Sequence, residues 1–423
     1  MSAQSNITRR RLLQGASTLI AAPAVLRLRS ASAAGVFKIG MVSPLTGPLA
    51  AFGETQDFIV AGIQPALKAL TNNGKPVEIQ LIHKDSQSNP NRASEVASEL
   101  ILKEQVNLII TKDAPETINP VADQAELNGV PCISTVCPWQ NYFFGRKGDP
   151  AKGFEWTYHF FWGLEDIGAT FIDIWDQSGV AKRVGGLYAN DADGNANIDP
   201  KSGMPPVLAA AGYQMTLPGL YEPMANDYTA QISAFKKANC EILTAVMLPP
   251  EFATFWSQAA QQGYRPKVAT IAKALLFPST VHALGDRGDG LTVEVAWTPE
   301  FPFASSLTGQ SARQLADSYM KATGRPWTVA LGFGHALFEL ALDAVKRTAD
   351  LTDPKAVLAA VASTNLKTIA GPVKWGGGPV KNVSKTPILG GQWQKQGTSL
   401  DLITITNTQH PEIPVGGKLQ LLS

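Results

Sequence analysis

From Val36 onward, short runs of β-branched and aliphatic residues alternate with stretches in which apolar positions recur every three to four residues. The first kind forms strands and the second amphipathic helices, so the order reads as repeated strand–helix units around a parallel sheet. Val36–Val42 is the first expected strand. Ile59, Ile63, Leu67 and Leu70 then share one helical face, and Asn72-Asn73-Gly74 supplies its stop. Val77, Ile79 and Leu81 alternate as a second strand, and Ala93, Val96, Ala97, Leu100 and Ile101 line one side of the next helix. A strand at Val106–Thr111, a helix at Glu116–Leu127 and a strand at Val130–Ser134 complete a first lobe.

After a linking stretch at Trp156–Gly163 the pattern restarts. Helices are expected at Ile167–Trp175, from the Asp199-Pro200 cap, at Tyr228–Ala238 and at Phe252–Gln262, with strands at Arg183–Leu187, Tyr213–Leu217, Ile242–Met247 and Lys267–Ile271. Leu291–Trp297 and helices at Ser311–Ala322, Leu331–Lys346 and Pro354–Ala362 follow, which suggests a chain that returns to finish the first lobe. The fold class is α/β, with two Rossmann-like αβα lobes.

The amino-terminal residues stand outside this pattern. Arg9-Arg10-Arg11 precedes a short apolar stretch from Leu12 to Leu26, and Ala31-Ser32-Ala33 has the small residues of a cleavage site. Residues 1–33 are therefore expected to be an export signal of twin-arginine type, and the apolar run is shorter than the ~20 residues of a membrane span. Its removal strips five arginines unmatched by any acid and takes the formal charge from +1 to −4. A mildly acidic body gives no reason to expect nucleic acid as a partner. For Cys132 and Cys137 the alternatives are a bridge in an oxidising compartment and plain burial.

The usual marks of an enzyme are missing. The five histidines are scattered, without metal-ligand spacing, and there is no nucleophile elbow, phosphate loop or dinucleotide fingerprint after the first strand. No metal or cofactor is expected.

Several segments resemble a known family. Phe37-Lys38-Ile39-Gly40-Met41-Val42-Ser43-Pro44-Leu45-Thr46-Gly47-Pro48 is similar to the opening of branched-chain amino acid type periplasmic solute-binding proteins of ABC importers. Asp85-Ser86-Gln87-Ser88-Asn89-Pro90, Asn128-Gly129-Val130-Pro131-Cys132-Ile133-Ser134, Asp227-Tyr228-Thr229-Ala230-Gln231-Ile232 and Gly371-Pro372-Val373-Lys374-Trp375 resemble further landmarks, in order along almost the whole mature chain. The resemblance implies a type I periplasmic binding fold with three crossings, near Trp156–Gly163, Leu291–Trp297 and Thr368–Val373. One lobe would hold residues 34–156 with 297–370, and the other 157–296 with 371–423. It further implies a monomeric periplasmic receptor that hands a small organic ligand, amino-acid-like or an aromatic carboxylate, to the permease of an importer. A ligand sensor of the same fold, or a hydrolase using Asp191 with Lys273, are the competing readings.

Parallel sheets present ligand sites beyond the carboxyl ends of their strands. In the first lobe that selects Phe52, Lys112, Ala114, Thr117, Val136 and Trp139, with Trp162 at the first crossing. In the second it selects Asn190, Asp191, Asp193, Glu251 and Lys273. The serine-rich turn by which amino-acid-binding relatives hold a carboxylate is replaced by Lys112-Asp113-Ala114-Pro115-Glu116-Thr117, and Lys273 stands where they carry an acid. Two lysines facing one cleft from opposite lobes would favour an anion bridging them.

Overall fold

The computed structural model describes residues 36–422, so the expected signal at 1–33 lies outside the described residues. Two sheets organise the chain. The first has six parallel strands in the spatial order Val383–Ser384, Thr157–Phe160, Cys132–Thr135, Leu108–Lys112, Phe37–Ser43, Ile79–Asp85. The second runs Ser399–Thr406, Leu389–Gln396, Thr292–Val295, Val268–Lys273, Ile242–Met247, Arg183–Tyr188, Gln214–Thr216. Its last five strands are mutually parallel, and the first two form an antiparallel edge.

Inner strands of a parallel sheet are covered on both faces, and apolar residues fill them. Leu108–Lys112, Cys132–Thr135, Val268–Lys273 and Thr292–Val295 are buried at every residue. Lys112, Lys273 and Glu294 are thus ionisable side chains placed in positions that ordinarily hold aliphatic ones. The helices start where the sequence supplies caps: Asn89 accepts from the N–H groups of Asn91 and Arg92, and Pro90 sets the first turn. The helix Val329–Arg347, capped by Thr328, is buried over most of its length. It lies against the strands Leu108–Lys112 and Cys132–Thr135 and against the helices Gln56–Lys68 and Pro354–Ala362, which explains its apolar residues on every side.

Several expectations need correction. Thr157–Phe160 pairs with Cys132–Thr135 and Val383–Ser384 pairs with Thr157–Phe160, so both belong to the first sheet. The chain therefore crosses at residues 161–163, after Val295, and at 385–388. Thr368–Val373 is not a crossing, because Asn365–Thr368 and Gly371–Lys374 close on each other as an antiparallel hairpin. Lys385 ties the first and third crossings together, its ammonium 2.6 Å from Asp166 and 3.0 Å from Glu165. The helix expected from Asp199 begins at Met204 instead; Asp199 caps a turn, accepting from the N–H groups of Lys201 and Ser202. Of the two alternatives for Cys132 and Cys137, plain burial holds, and both are free thiols.

Candidate functional site

The carboxyl ends of the two sheets enclose a cavity with about 50 Å³ open to the centre of a water-sized sphere. Since one water needs about 10–15 Å³ of such space, the chamber is small and the lobes are closed over it. Phe52, Phe161, Trp162 and Phe333 give it aromatic walls, and Val136, Leu164, Ile167, Val246, Leu276 and Val329 fill the gaps between them. Phe161 packs on Trp162 at 4.5 Å between ring centroids and meets Phe333 edge-on at 4.9 Å. Across the mouth, Phe52 of the first lobe meets Phe277 of the second at 4.8 Å.

Three ionisable side chains and one amide reach this wall: Asp193, Lys273, Glu294 and Asn197. The Lys273 ammonium is 2.7 Å from Asp193 and 3.4 Å from Glu116. Asp193 also accepts from the Asn141 amide at 2.6 Å. Lys273 and Asp193 belong to the second lobe and Glu116 and Asn141 to the first, so these contacts fasten the lobes together. Burial pulls the Lys273 pKa down, but Asp193, Glu116 and Asp191 more than offset it and hold it well above the ordinary lysine value. Burial pushes Glu116 up to about 8, against the opposing pull of Lys273, and pushes Glu294 to about 8 as well.

Two backbone positions on the wall are unusual. Val136 sits at φ +75° and Lys273 at φ +69°, ψ −64°. Positive φ is costly for any residue with a Cβ, most of all a β-branched one, and is held only where surrounding structure enforces it. Val136 follows the strand Cys132–Thr135 and Lys273 ends the strand Val268–Lys273, one in each lobe, and both line the chamber.

Six of the twelve residues selected from the sequence line the cavity: Phe52, Ala114, Val136, Trp162, Asp193 and Lys273. The other six do not. Lys112 is fully buried and its ammonium donates to the Phe52 carbonyl, which places it behind the wall; burial lowers its pKa to about 8. Thr117 donates to Asp113. Trp139 packs at the first crossing, its indole N–H donating to Glu165 at 3.1 Å. Asn190 is exposed, and Asp191 caps the short helix Ala192–Asn197 by accepting from the Gly194 N–H. Glu251 is taken by the Tyr221 hydroxyl and the Met224 N–H. The pair of lysines facing each other across the cleft is therefore overturned for want of Lys112.

Glu294, Asn197, Phe161 and Phe333 also line the cavity and are not among the residues that the sequence selects. Glu294 did carry a signal, as the lone acid in the otherwise uncharged strand Thr292–Val295. Phe333 carried none, being one apolar residue among many on a buried helix.

Two α/β lobes joined by three crossings and closed over a small, mostly apolar chamber define a ligand receptor. The chain belongs to the periplasmic binding protein family, whose pattern it matches over residues 36–398. Proteins of this family are periplasmic, and among the described residues no helix is long and apolar enough to cross a membrane. Similar solved structures include a leucine-binding protein from Thermotoga maritima, at 20% identity and TM-score 0.71 over 88% of this chain and 99% of that one. A solute-binding protein of an ABC transporter from Rhodopseudomonas palustris, in complex with 3,4-dihydroxybenzoic acid, matches at 20% identity and TM-score 0.69 over 88% and 96%. Another from R. palustris, in complex with benzoate, matches at 17% identity and TM-score 0.68 over 88% and 96%.

Proposed function

We propose that this chain is the solute-binding subunit of an ATP-driven importer. It is exported by the twin-arginine route, acts as a monomer, and captures a small apolar carboxylate, aromatic in preference to an ordinary α-amino acid, without turning it over. The observation that carries the reading is the chamber itself: aromatic faces on several sides and one lysine ammonium at its wall. Flat apolar ligands bury their faces against such walls, and a few polar groups fix their orientation. Asp193 and Glu116 take two of the three donors of Lys273, which leaves a donor for a ligand oxygen. The aromatic acids named for the R. palustris proteins support the ligand class, and the ABC transporter those names mention supports the partner. Of the pair that a hydrolytic mechanism would call on, Asp191 caps a helix and Lys273 is ion-paired with Asp193 and Glu116.

Thermal melts with a panel of aromatic acids, aliphatic acids and amino acids test this. A ligand that binds only the folded state at a hundredfold excess over Kd adds about 2.7 kcal/mol, a clear upshift. Mass spectrometry after prolonged incubation should return the shifting compound unchanged. No shift across the panel, or conversion of the compound, overturns the reading.

A further inference from the structure

Two polar atoms of cavity-lining side chains are buried without a protein partner: Trp162 Nε1 and Glu294 Oε2. Trp162 is 4% exposed and Glu294 2%, so bulk water does not serve either group. A buried polar atom left unpaired costs about as much as a lost hydrogen bond, and such atoms are few in folded proteins. The other Glu294 oxygen is held in place, accepting from the Lys273 backbone N–H at 3.4 Å. That contact ties one carboxyl oxygen to the neighbouring strand and leaves the second without a protein donor.

The two atoms differ in chemistry. Indole N–H is a donor only, and a carboxyl oxygen is an acceptor. With the spare donor of Lys273, Trp162 provides for an oxygen of the ligand, such as one carboxylate oxygen. Glu294 provides for the opposite need. We propose that Glu294 is a specificity-determining residue that selects ligands carrying a hydrogen-bond donor, a hydroxyl or an ammonium, in addition to the acceptor read by Trp162 and Lys273. This rests on the reading of the chamber as the site for a small apolar carboxylate. Burial, which raises the Glu294 pKa to about 8, suits a hydroxyl directly, because a neutral carboxyl both donates and accepts. An ammonium would instead draw the proton off and leave an ion pair.

Matched probes separate these cases: benzoate with 4-hydroxybenzoate, and 4-methylpentanoate with leucine, each pair differing by one donor. Calorimetry on the intact protein should show the donor-bearing member of one pair binding about 5- to 10-fold more tightly, the worth of one buried hydrogen bond. In Glu294→Leu that ratio should fall to within about 2-fold. Glu294→Gln, which keeps the shape and the contact to the Lys273 N–H, should retain a hydroxyl preference and lose an ammonium preference. Trp162→Phe should weaken both members of a pair alike and leave their ratio unchanged. Equal affinities within both pairs in the wild type, or a ratio that survives in Glu294→Leu, overturn the assignment of Glu294 alone. If none of the four probes binds the wild type, the ligand class fails, and the assignment with it.

Discussion

The Lys273 ammonium lies 2.7 Å from one oxygen of Asp193, while the other oxygen of that carboxylate receives the Asn141 amide at 2.6 Å. A single acid of the second lobe is thus shared between a cation of its own lobe and an amide of the other. The pair is both a piece of the cavity wall and part of the closure between lobes.

Breaking one side of a buried ion pair leaves a charge with no compensation, which costs about 3–5 kcal/mol. Lys273→Met should therefore destabilise the protein by about that much in urea denaturation at neutral pH. The double variant Lys273→Met, Asp193→Asn should be destabilised by clearly less than the sum of the two single changes. Additive losses would mean that the two groups do not interact.

Asn141 contributes to closure without forming part of the chamber wall. Asn141→Ala removes one hydrogen bond between lobes, worth about 0.5–1.5 kcal/mol, and that much is taken from the closed state. Small-angle scattering of the ligand-free variant should show a larger radius of gyration than the wild type. Affinity for the identified ligand should fall about 2- to 10-fold. An unchanged radius together with unchanged affinity would assign the contact to packing alone.

Gly332 lies on the helix Val329–Arg347 between Val329 and Phe333, both of which line the cavity. A Cβ placed there would meet three atoms of the Trp297 ring at 2.3–2.4 Å. Alanine ordinarily gains about 0.8–1 kcal/mol over glycine inside a helix. Here the fully buried Trp297, held by its indole N–H on the Ile369 carbonyl at 3.1 Å, has no room to yield. Gly332→Ala should destabilise the protein by about 1–3 kcal/mol despite its helix propensity, and weaken ligand binding by displacing Phe333. A stabilised variant would show that the indole moves freely.

The raised pKa of Glu294 makes a statement about pH. Between an ordinary value of 4.5 and about 8 the folded protein keeps a proton that the unfolded chain releases. Its contribution to stability is therefore full below the unfolded value and is lost as pH rises through the folded one, by up to about 1.4 kcal/mol per pH unit. Glu294→Gln removes this linkage, so its melting temperature should decline less steeply from pH 5 to pH 8 than that of the wild type. Parallel slopes would place the carboxyl in its usual range.

The alternation of strand and helix was legible because each element is set by local periodicity: Ile242–Met247 and Pro354–Ala362 occur as expected from their residues alone. Cap residues such as Asn89 and Ser311 act within three positions of themselves, and they too can be read along the chain. The third crossing could not be, since the hairpin at Asn365–Lys374 and the two-residue strand at Val383 differ only in which distant strand has an edge to offer. The site divides in the same way. Sequence places both Lys112 and Lys273 at strand ends, and by residue type they are equivalent. What separates them is the partner that each ammonium meets, the Phe52 carbonyl 60 positions away or the Asp193 carboxylate 80 positions away. Sequence by itself determined the two-lobed α/β plan, most strand ends and the kinds of residue near them; only tertiary packing, which sets burial and long-range partners, decided where the third crossing falls and that Lys273 and Glu294 line the chamber while Lys112 stands behind its wall.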